Sequence, residues 1–555
     1  MTVAQYIAHF IAQKETPAVF QLSGGMIAFL TDAIESLGIT PIVHNRHEQA
    51  SGFGAEGATR ISGKTAVAMG TSGPGATNLL TPISSCFFDS TPAIFLTGQV
   101  RTDEIKKDHN LRQNGFQELD ICAMAETVCK STFRVRVATD VPKILNEAWN
   151  IANSGRKGPV LIDIPIDVQQ DMVSADIVIN NRVQNGSQII SSEILNQIRD
   201  LLSAAQKPLA IIGGGVRLAG AVQECQEFLI KSGLPHVTTL MGIDSVDHSS
   251  ARYLGYLGSY GNSWSNNALK EADLILVLGS RLDVRQIGSN PLVSLANKKI
   301  IRIDIDATEL NGKITAHIGL QCDLGNFFDQ IDIDGTPIKH EDLCNLTFKL
   351  KEQNPQYLEQ EVSIGMNPTL LMEEISNVYS QSNGYSVDVG QHQMWAAQSI
   401  ALNHNQRFIT SGGLGAMGFA IPAAVGSSLA KQGRWVVIVG DGCIQLSLQE
   451  LQTISQMNLP ITICIINNNQ HGMVAQFQEE NMDSRFVGTR KDFSNPNYAD
   501  ISRGFGIKNY SLISSLEDFE KVKSRLLHGP ACPEILEFSI NNSMKALPKM
   551  SFKSD

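Results

Sequence analysis

The sequence predicts an α/β protein built from three doubly wound parallel-sheet domains. Three observations carry that expectation. Short β-branched and aliphatic runs alternate with amphipathic segments along the whole chain. Most of those runs end at Gly, Asn or Asp, and two polar stretches interrupt the alternation. The 555 residues, at about 150 per domain, suffice for three or four domains with full cores.

In the first domain (1–172), ITPIVH (39–44), TAVAMGTS (65–72), AIFLTGQV (93–100) and PVLIDIP (159–165) read as buried parallel strands. EQASGFGAEGATRI (48–61) and GPGATNLL (73–80) read as helices between them, the former stopped by Gly63. The polar stretch 168–188 reads as a linker. The second domain (188–335) supplies PLAIIGGG (208–215), HVTTLMG (236–242), LILVLGSRLD (274–283) and KIIRIDID (299–306). Weakly periodic sequence at 335–365 reads as a second linker. The third domain (366–545) supplies YSVDVG (385–390), RWVVIVGDG (434–442) and ITICIINN (461–468). The first and third domains are similar in size, as an old duplication leaves them. The tail KALPKMSFKSD either closes over a neighbouring surface or frays.

Composition is that of a globular protein, 43% hydrophobic and 18% charged, with 46 glycines clustered at strand ends. A net charge of −11 without a basic block speaks against nucleic acid as a partner. The nine cysteines have no CxxC spacing, which reads as reduced thiols of a cytoplasmic protein. No leader-like start and no 18-residue apolar run is found, so no membrane association is expected.

Chemistry concentrates at residues 440–473. Gly-Asp-Gly (440–442) and Asn-Asn (467–468) stand 24 residues apart, each at the end of an apolar run. In open parallel sheets ligands sit at the carboxyl ends of strands. Asp441 and Asn468 offer hard oxygen donors suited to Mg²⁺, an ion that keeps phosphate oxygens among its ligands. Gly440 and Gly442 let the backbone approach a phosphate, and a following helix offers its first amides. The stretch reads as a Mg²⁺–diphosphate site.

That spacing resembles the fingerprint of thiamine-diphosphate-dependent enzymes. The resemblance extends along nearly the whole chain, in order: residues 43–100, GFQELDI (115–121), SGRKGPVLIDIPIDV (154–168), TLMG (239–242), DVGQHQMWAAQ (388–398) and TSGGLGAMGFAIPAAVG (410–426) are similar to the acetolactate synthase group. The resemblance implies pyrimidine-binding, central and diphosphate-binding domains. It implies that Glu48 hydrogen-bonds the pyrimidine ring nitrogen of the cofactor and serves a proton relay. Gly415 would accept from the cofactor's amino group through its carbonyl. Met417 would be the wedge that bends the cofactor, although a Met is ordinarily core filler. Gln391, His392, Gly440, Gly442, Cys443, Gly472 and Met473 match positions that hold the diphosphate, and the Gln470 carbonyl completes the metal set with Asp441 and Asn468. His392 has the alternative of a satisfied core histidine. Gly115, Phe116 and Gln117 match a segment reaching the site from a facing subunit, and Lys130 matches a lysine there.

In the central domain, GSRLDVRQIG (279–288) is similar to a stretch that contacts FAD. Arg281, Asp283 and Arg285 occupy its matching positions, and Arg156, Gly213, Gly214, Thr239, Leu240, Leu257 and Gly258 match others. The alternative is a domain that binds ADP or nothing, since GGG is not GxGxxG. The implied reaction decarboxylates a 2-oxo acid such as pyruvate and joins the remaining acyl unit to a second carbonyl. The expected assembly is a homodimer or homotetramer with the site between subunits; nothing in the sequence indicates a regulatory subunit. The sequence departs from typical acetolactate synthases near the acceptor. GMVAQF places Phe477 where a Trp is usual, RLDVRQIG replaces RFDDRVTG, and QLSGG (21–25) stands for a PGG-type turn. Acceptor identity therefore stays open between pyruvate, another carbonyl such as a keto-sugar nucleotide, and none, as in a simple decarboxylase or a thiol acyltransferase. A non-catalytic relative is disfavoured by intact Glu48, Asp441 and Asn468.

Overall fold

The computed structural model describes residues 1–108, 110–174, 189–288, 290, 295–312, 314–336, 338–339, 341–359, 365–529 and 531–549. Parts of the expected linkers (175–188 and 360–364) and of the tail (550–555) lie outside the described residues.

Among the described residues, eighteen strands form three six-stranded, all-parallel sheets. The first contains β1 (Val19–Gln21), β2 (Ile42–His44), β3 (Ala66–Gly70), β4 (Ala93–Gln99), β5 (Ser131–Arg134) and β6 (Pro159–Pro165), in the order β2-β1-β3-β4-β6-β5. The second contains β7 (Pro208–Ile212), β8 (His236–Thr238), β9 (Tyr253–Tyr256), β10 (Leu274–Leu278), β11 (Lys299–Asp304) and β12 (Ile318–Gln321), in the order β9-β8-β7-β10-β11-β12. This is the doubly wound dinucleotide-binding order. The third contains β13 (Gly384–Val387), β14 (Arg407–Thr410), β15 (Trp435–Gly440), β16 (Ile461–Asn467), β17 (Asn509–Ile513) and β18 (Glu534–Ser539), in the order β14-β13-β15-β16-β18-β17. The first and third sheets thus share one strand order, as the duplication reading requires.

Every predicted strand is present. The helix read at 48–61 spans Glu48–Ser62 and ends on Gly63 at φ 72°, a left-handed cap that glycine adopts without strain. The helix read at 73–80 divides into Pro74–Asn78 and Leu80–Phe88. Both linkers need correction. The first begins as a helix, Ile166–Gln170, with Val168 and Gln169 buried. The second contains the helix Glu341–Gln353, whose Leu343, Cys344 and Thr347 are buried. These share one face at i, i+1 and i+4, a period hidden by the charged residues around them.

One apolar core joins the first and third domains. At its centre the helices Glu48–Ser62 and Ala420–Ala430 cross at glycines. A Cβ on Gly57 would lie 2.2 Å from the Ala423 carbonyl oxygen, and one on Gly426 would lie 1.9 Å from that of Gly54. Gly54 faces Gly426 and Gly57 faces Ala423, so the helices run in opposite senses. Gly426→Ala is expected to destabilise the chain by about 3 kcal/mol or more. Urea unfolding measures this, and an unchanged midpoint would refute the contact.

The tail closes over the third domain as far as it is described. Side chains hold its main chain at 542–547. Gln470 Nε2 and Arg490 donate to the Asn542 carbonyl (both 2.8 Å), Gln391 Nε2 to Met544 (3.0 Å) and Trp395 Nε1 to Lys545 (3.0 Å). Gln476 Nε2 donates to Ala546 (3.1 Å), and Gln398 and Gln356 both donate to Leu547 (2.7 and 3.0 Å).

Candidate active site

β13, β15 and β16 lie side by side and their carboxyl ends open on one crevice. From β13 the chain crosses to β14 on one side, and from β15 to β16 on the other, so the crevice is a topological switch point. Two helices begin there, Gln391–Ser399 after β13 and Gly472–Asn481 after β16, so their first amides face the crevice.

Asp441 and Asn468 meet at this place. Asp441 accepts from the amides of Gly442 (3.1 Å) and Gln470 (3.3 Å) and from Asn495 Nδ2 (3.0 Å). Burial pushes its carboxyl up to about 6, against the opposing effect of those donors. Asn468 donates through Nδ2 to Gln391 Oε1 at 3.0 Å, which fixes the amide and leaves its carbonyl oxygen for another partner. The Gln470 side chain is engaged with Asn542 and Arg490, so only its backbone carbonyl is at issue. Glycine is required around them. A Cβ on Gly472 would lie 2.0 Å from Gln391 Oε1, one on Gly440 2.8 Å from the His392 ring and one on Gly442 2.6 Å from the His471 ring. Met473 is half-buried beside the third-domain core, and the buried Cys443 thiol donates to the Val389 carbonyl at 3.1 Å. The His392 ring is already satisfied. Its Nε2 accepts the Gly440 amide at 3.2 Å, the other side meets the Asp388 backbone, and burial pushes it down to about 3. The core-histidine reading therefore holds for the ring, which steadies the strand end.

The glycine segment at 411–419 is pinned at both ends. Gly415 and Gly418 have φ of 71° and 81°, the left-handed region where glycine is unstrained. The buried Asp388 carboxylate accepts from Gly418 (3.0 Å) and Ala420 (2.8 Å), and Asp89 accepts from Gly412 (3.1 Å) and Gly413 (2.6 Å). Met417 is half-buried against the shared core.

Glu48 opens its helix, where a carboxylate suits the dipole. His47 caps that helix by accepting the Gln49 amide at 3.1 Å. Glu48 is 6% exposed and accepts Asn78 Nδ2 at 2.9 Å. The turn at Gly73–Gly75 joins it to the segment around Gln117. A Cβ on Gly75 would lie 3.3 Å from Glu48 Oε1, and one on Gly73 2.9 Å from the Gln117 Cβ. Gln117 has φ 65°, Phe116 is 79% exposed, and Gly115 bonds to Glu118. Lys130 is not part of this group. It precedes β5, at the sheet end opposite Glu48, where its ammonium donates to the Ile151 and Ser154 carbonyls. Burial pushes it down to about 8. The sequence match misplaced it because β5, the half-buried edge strand that it precedes, carries no apolar run to show which sheet end it serves.

Within the chain the Glu48 side chain bonds to Asn78 of its own domain. Its helix meets the third domain at Phe53, whose ring packs edge-on against Phe419 with 5.4 Å between centroids, and at Arg60, which donates to the Thr410 carbonyl at 2.7 Å. Arg60 lies twelve residues beyond Glu48, about 18 Å of helix.

A second cavity lies where the three domains meet. Arg156, Gly214, Thr239 and Leu240 line it, as do Leu257, Arg281, Asp283 and Arg285. Gly213 and Gly258, matched with them by sequence, are not among its lining residues. A Cβ on Gly213 would lie 2.1 Å from the Gly279 carbonyl oxygen, and Gly258 at φ 146° bonds to Asn266, so both serve the local backbone. Arg156 is paired with Asp306 (3.0 Å) and Glu309 (2.9 Å). Sequence reading missed Asp89, Asp388 and Asn495. Only Asp388, an acid ending an apolar run, carried a signal.

Family models match three stretches. Residues 1–124 match the thiamine pyrophosphate enzyme N-terminal TPP binding domain, 195–331 the central domain and 388–535 the C-terminal TPP binding domain. Among known proteins, the chain is 35% identical to the acetolactate synthase isozyme 2 large subunit of Escherichia coli, covering 99% of this chain and 97% of that one. It is 34% identical to the acetolactate synthase large subunit of Lactococcus lactis (98% and 93% covered). It is 30% identical to the mitochondrial acetolactate synthase catalytic subunit of Saccharomyces cerevisiae (99% and 82% covered).

Proposed function

The chain belongs to the thiamine pyrophosphate enzymes of the acetolactate synthase large-subunit family, and on that premise we propose that it condenses two pyruvates to 2-acetolactate and carbon dioxide. The observation that carries this reading is the crevice at β13, β15 and β16. It gathers one carboxylate, one amide oxygen and three glycines whose Cβ atoms would fill it. Among the described residues no three His, Cys, Asp or Glu side chains form a metal cluster. A donor set of one carboxylate and neutral oxygens suits Mg²⁺ that shares a diphosphate.

Thiamine diphosphate, when bound, supplies a thiazolium carbon that adds to the 2-oxo acid and takes up the electron pair left by carbon dioxide. Asp441, the Asn468 carbonyl oxygen and the Gln470 carbonyl would hold Mg²⁺. Gln391, Gly440, Gly442, Cys443, Gly472 and Met473 surround the diphosphate, with the backbone rather than the ring of His392. The Gly415 carbonyl would receive the cofactor's amino group, and Met417 would pack against the cofactor. Glu48 holds the proton at the pyrimidine ring. It would come from a second copy of the chain, since within the chain its side chain bonds to Asn78 of its own domain. The exposed Phe116 and the half-buried Gln117 would come with it.

The cavity between the domains takes FAD. Its sheet has the dinucleotide-binding order, and Arg281 and Arg285 on its wall offer charge to a pyrophosphate or to a substrate carboxylate. Phe477 is 48% exposed on the helix that borders the crevice, which leaves an apolar wall for a small acceptor. Purified protein supplied with Mg²⁺, thiamine diphosphate, FAD and pyruvate is expected to form a product that yields acetoin after acid treatment. Acetaldehyde as the main product, or turnover only with an added keto-sugar, would overturn the reading.

A further inference from the structure

We propose that Asp89 is a positioning residue that sets the height of the glycine segment and couples it to the cavity between the domains; this rests on the roles given above to Gly415 and to that cavity. Asp89 belongs to the first domain, and the segment belongs to the third. Its side chain is 1% exposed, and both of its oxygens are used. Oδ2 accepts from Gly412 at 3.1 Å and from Arg60 at 2.8 Å, and Oδ1 accepts from Gly413 at 2.6 Å. No other side chain fits between. A Cβ on Gly413 would lie 2.9 Å from Oδ1 and 2.8 Å from the Phe88 Cβ.

Arg60 is held in turn. It donates to the Thr410 carbonyl (2.7 Å) and Thr91 Oγ1 (3.2 Å), and it pairs with Glu56 (3.2 Å). Arg407 donates to the Arg60 carbonyl at 2.9 Å and pairs with Asp244 at 2.6 Å, and Asp244 also accepts the Phe408 amide at 3.2 Å. Asp244 belongs to the middle domain. β14 and the first residues of the glycine segment are therefore gripped by carboxylates of both other domains, while Asp388 grips the far end from within. Between the grips lie Leu414 to Met417, the stretch that carries Gly415. Asp89, Arg60, Arg407 and Gly412 also line the cavity. A ligand that orders that wall orders the segment, and by reciprocity a cofactor held by the segment favours the filled cavity.

Asp89→Asn offers one acceptor and one donor where two acceptors are needed, so in either orientation an amide hydrogen faces a segment amide, that of Gly413 or that of Gly412 together with Arg60. At saturating cofactors, kcat is expected to fall about a hundredfold with the KM for pyruvate unchanged, as for a small misplacement of a reacting group. The circular dichroism of the bound aminopyrimidine should shift. In the wild type, FAD should raise thiamine diphosphate affinity, read by calorimetry, by about fivefold or more; Asp89→Asn should abolish that gain. Gly413→Ala leaves every charge in place and only wedges the segment off Asp89, so it must reproduce both effects, and it decides the matter if Asp89→Asn does not fold. A folded Asp89→Asn or Gly413→Ala protein with wild-type kcat, dichroism and FAD-linked affinity overturns the proposal. A wild-type protein that binds no thiamine diphosphate overturns the functional reading itself.

Discussion

Glu48→Gln is expected to reduce turnover of pyruvate by a factor of about 10² to 10⁴, the usual weight of a general acid–base group. Glutamine keeps the shape and an oxygen for Asn78 Nδ2, which donates to Glu48 at 2.9 Å. It cannot hold or release a proton at the pyrimidine nitrogen. The diphosphate lies at the other end of the cofactor, so thiamine diphosphate affinity should change only a few-fold and bound FAD should keep its absorbance. Carbon dioxide release from pyruvate is the measurement, with calorimetry for the cofactor. Turnover within tenfold of wild type would remove Glu48 from the mechanism.

Asp441→Asn should act at the opposite end. The amide preserves volume and still accepts from Gly442, but it replaces the only carboxylate assigned to the metal. Mg²⁺-dependent binding of thiamine diphosphate is expected to weaken by about 10² or more, in the range that loss of a metal-site partner produces. The thermal shift that Mg²⁺ and thiamine diphosphate confer on the wild type should disappear. The two variants together test where the site is assembled. In a two-fold dimer that builds each site from Glu48 of one copy and Asp441 of the other, mixed dimers regain one intact site, so equal co-expression should restore about a quarter of wild-type activity. Two inactive variants that stay inactive when co-expressed would place both residues in one chain.

The fold was legible where a buried strand carries a long apolar run. Ala93–Gln99, Pro159–Pro165, Trp435–Gly440 and Ile461–Asn467 are buried almost throughout and read as apolar runs. β5, β9, β12, β14 and β17 were missed, and all are edge strands; β1 was missed although central and buried, because three residues make too short a run. An edge strand needs fewer apolar residues and offers no such run. β18 is central but contains Glu534 and Glu537. They are accommodated by Arg525 and by Asn467 and Tyr510, partners no local pattern reveals. The site divides in the same way. Asp441 and Asn468 were legible because they punctuate strand ends. Asp89 was not, because its partners are backbone amides 323 and 324 residues away. Lys130 was misplaced because similarity of sequence says nothing of which sheet end a side chain serves.

The tail over the third domain is held by its carbonyls, which every residue type possesses, at 542 and 544 through 547. Beyond the buried Met544 and Ala546, and Lys545 and Lys549 with their ion pairs to Glu479 and Glu480, the identity of its side chains is free to drift over evolutionary time. Its length is not. Inserting or deleting one residue would slide each carbonyl past its donor by about 3.3 Å, and two of those donors, Gln391 and Gln470, stand beside the Asp441–Asn468 pair. Related chains should therefore vary in spelling here and agree in count.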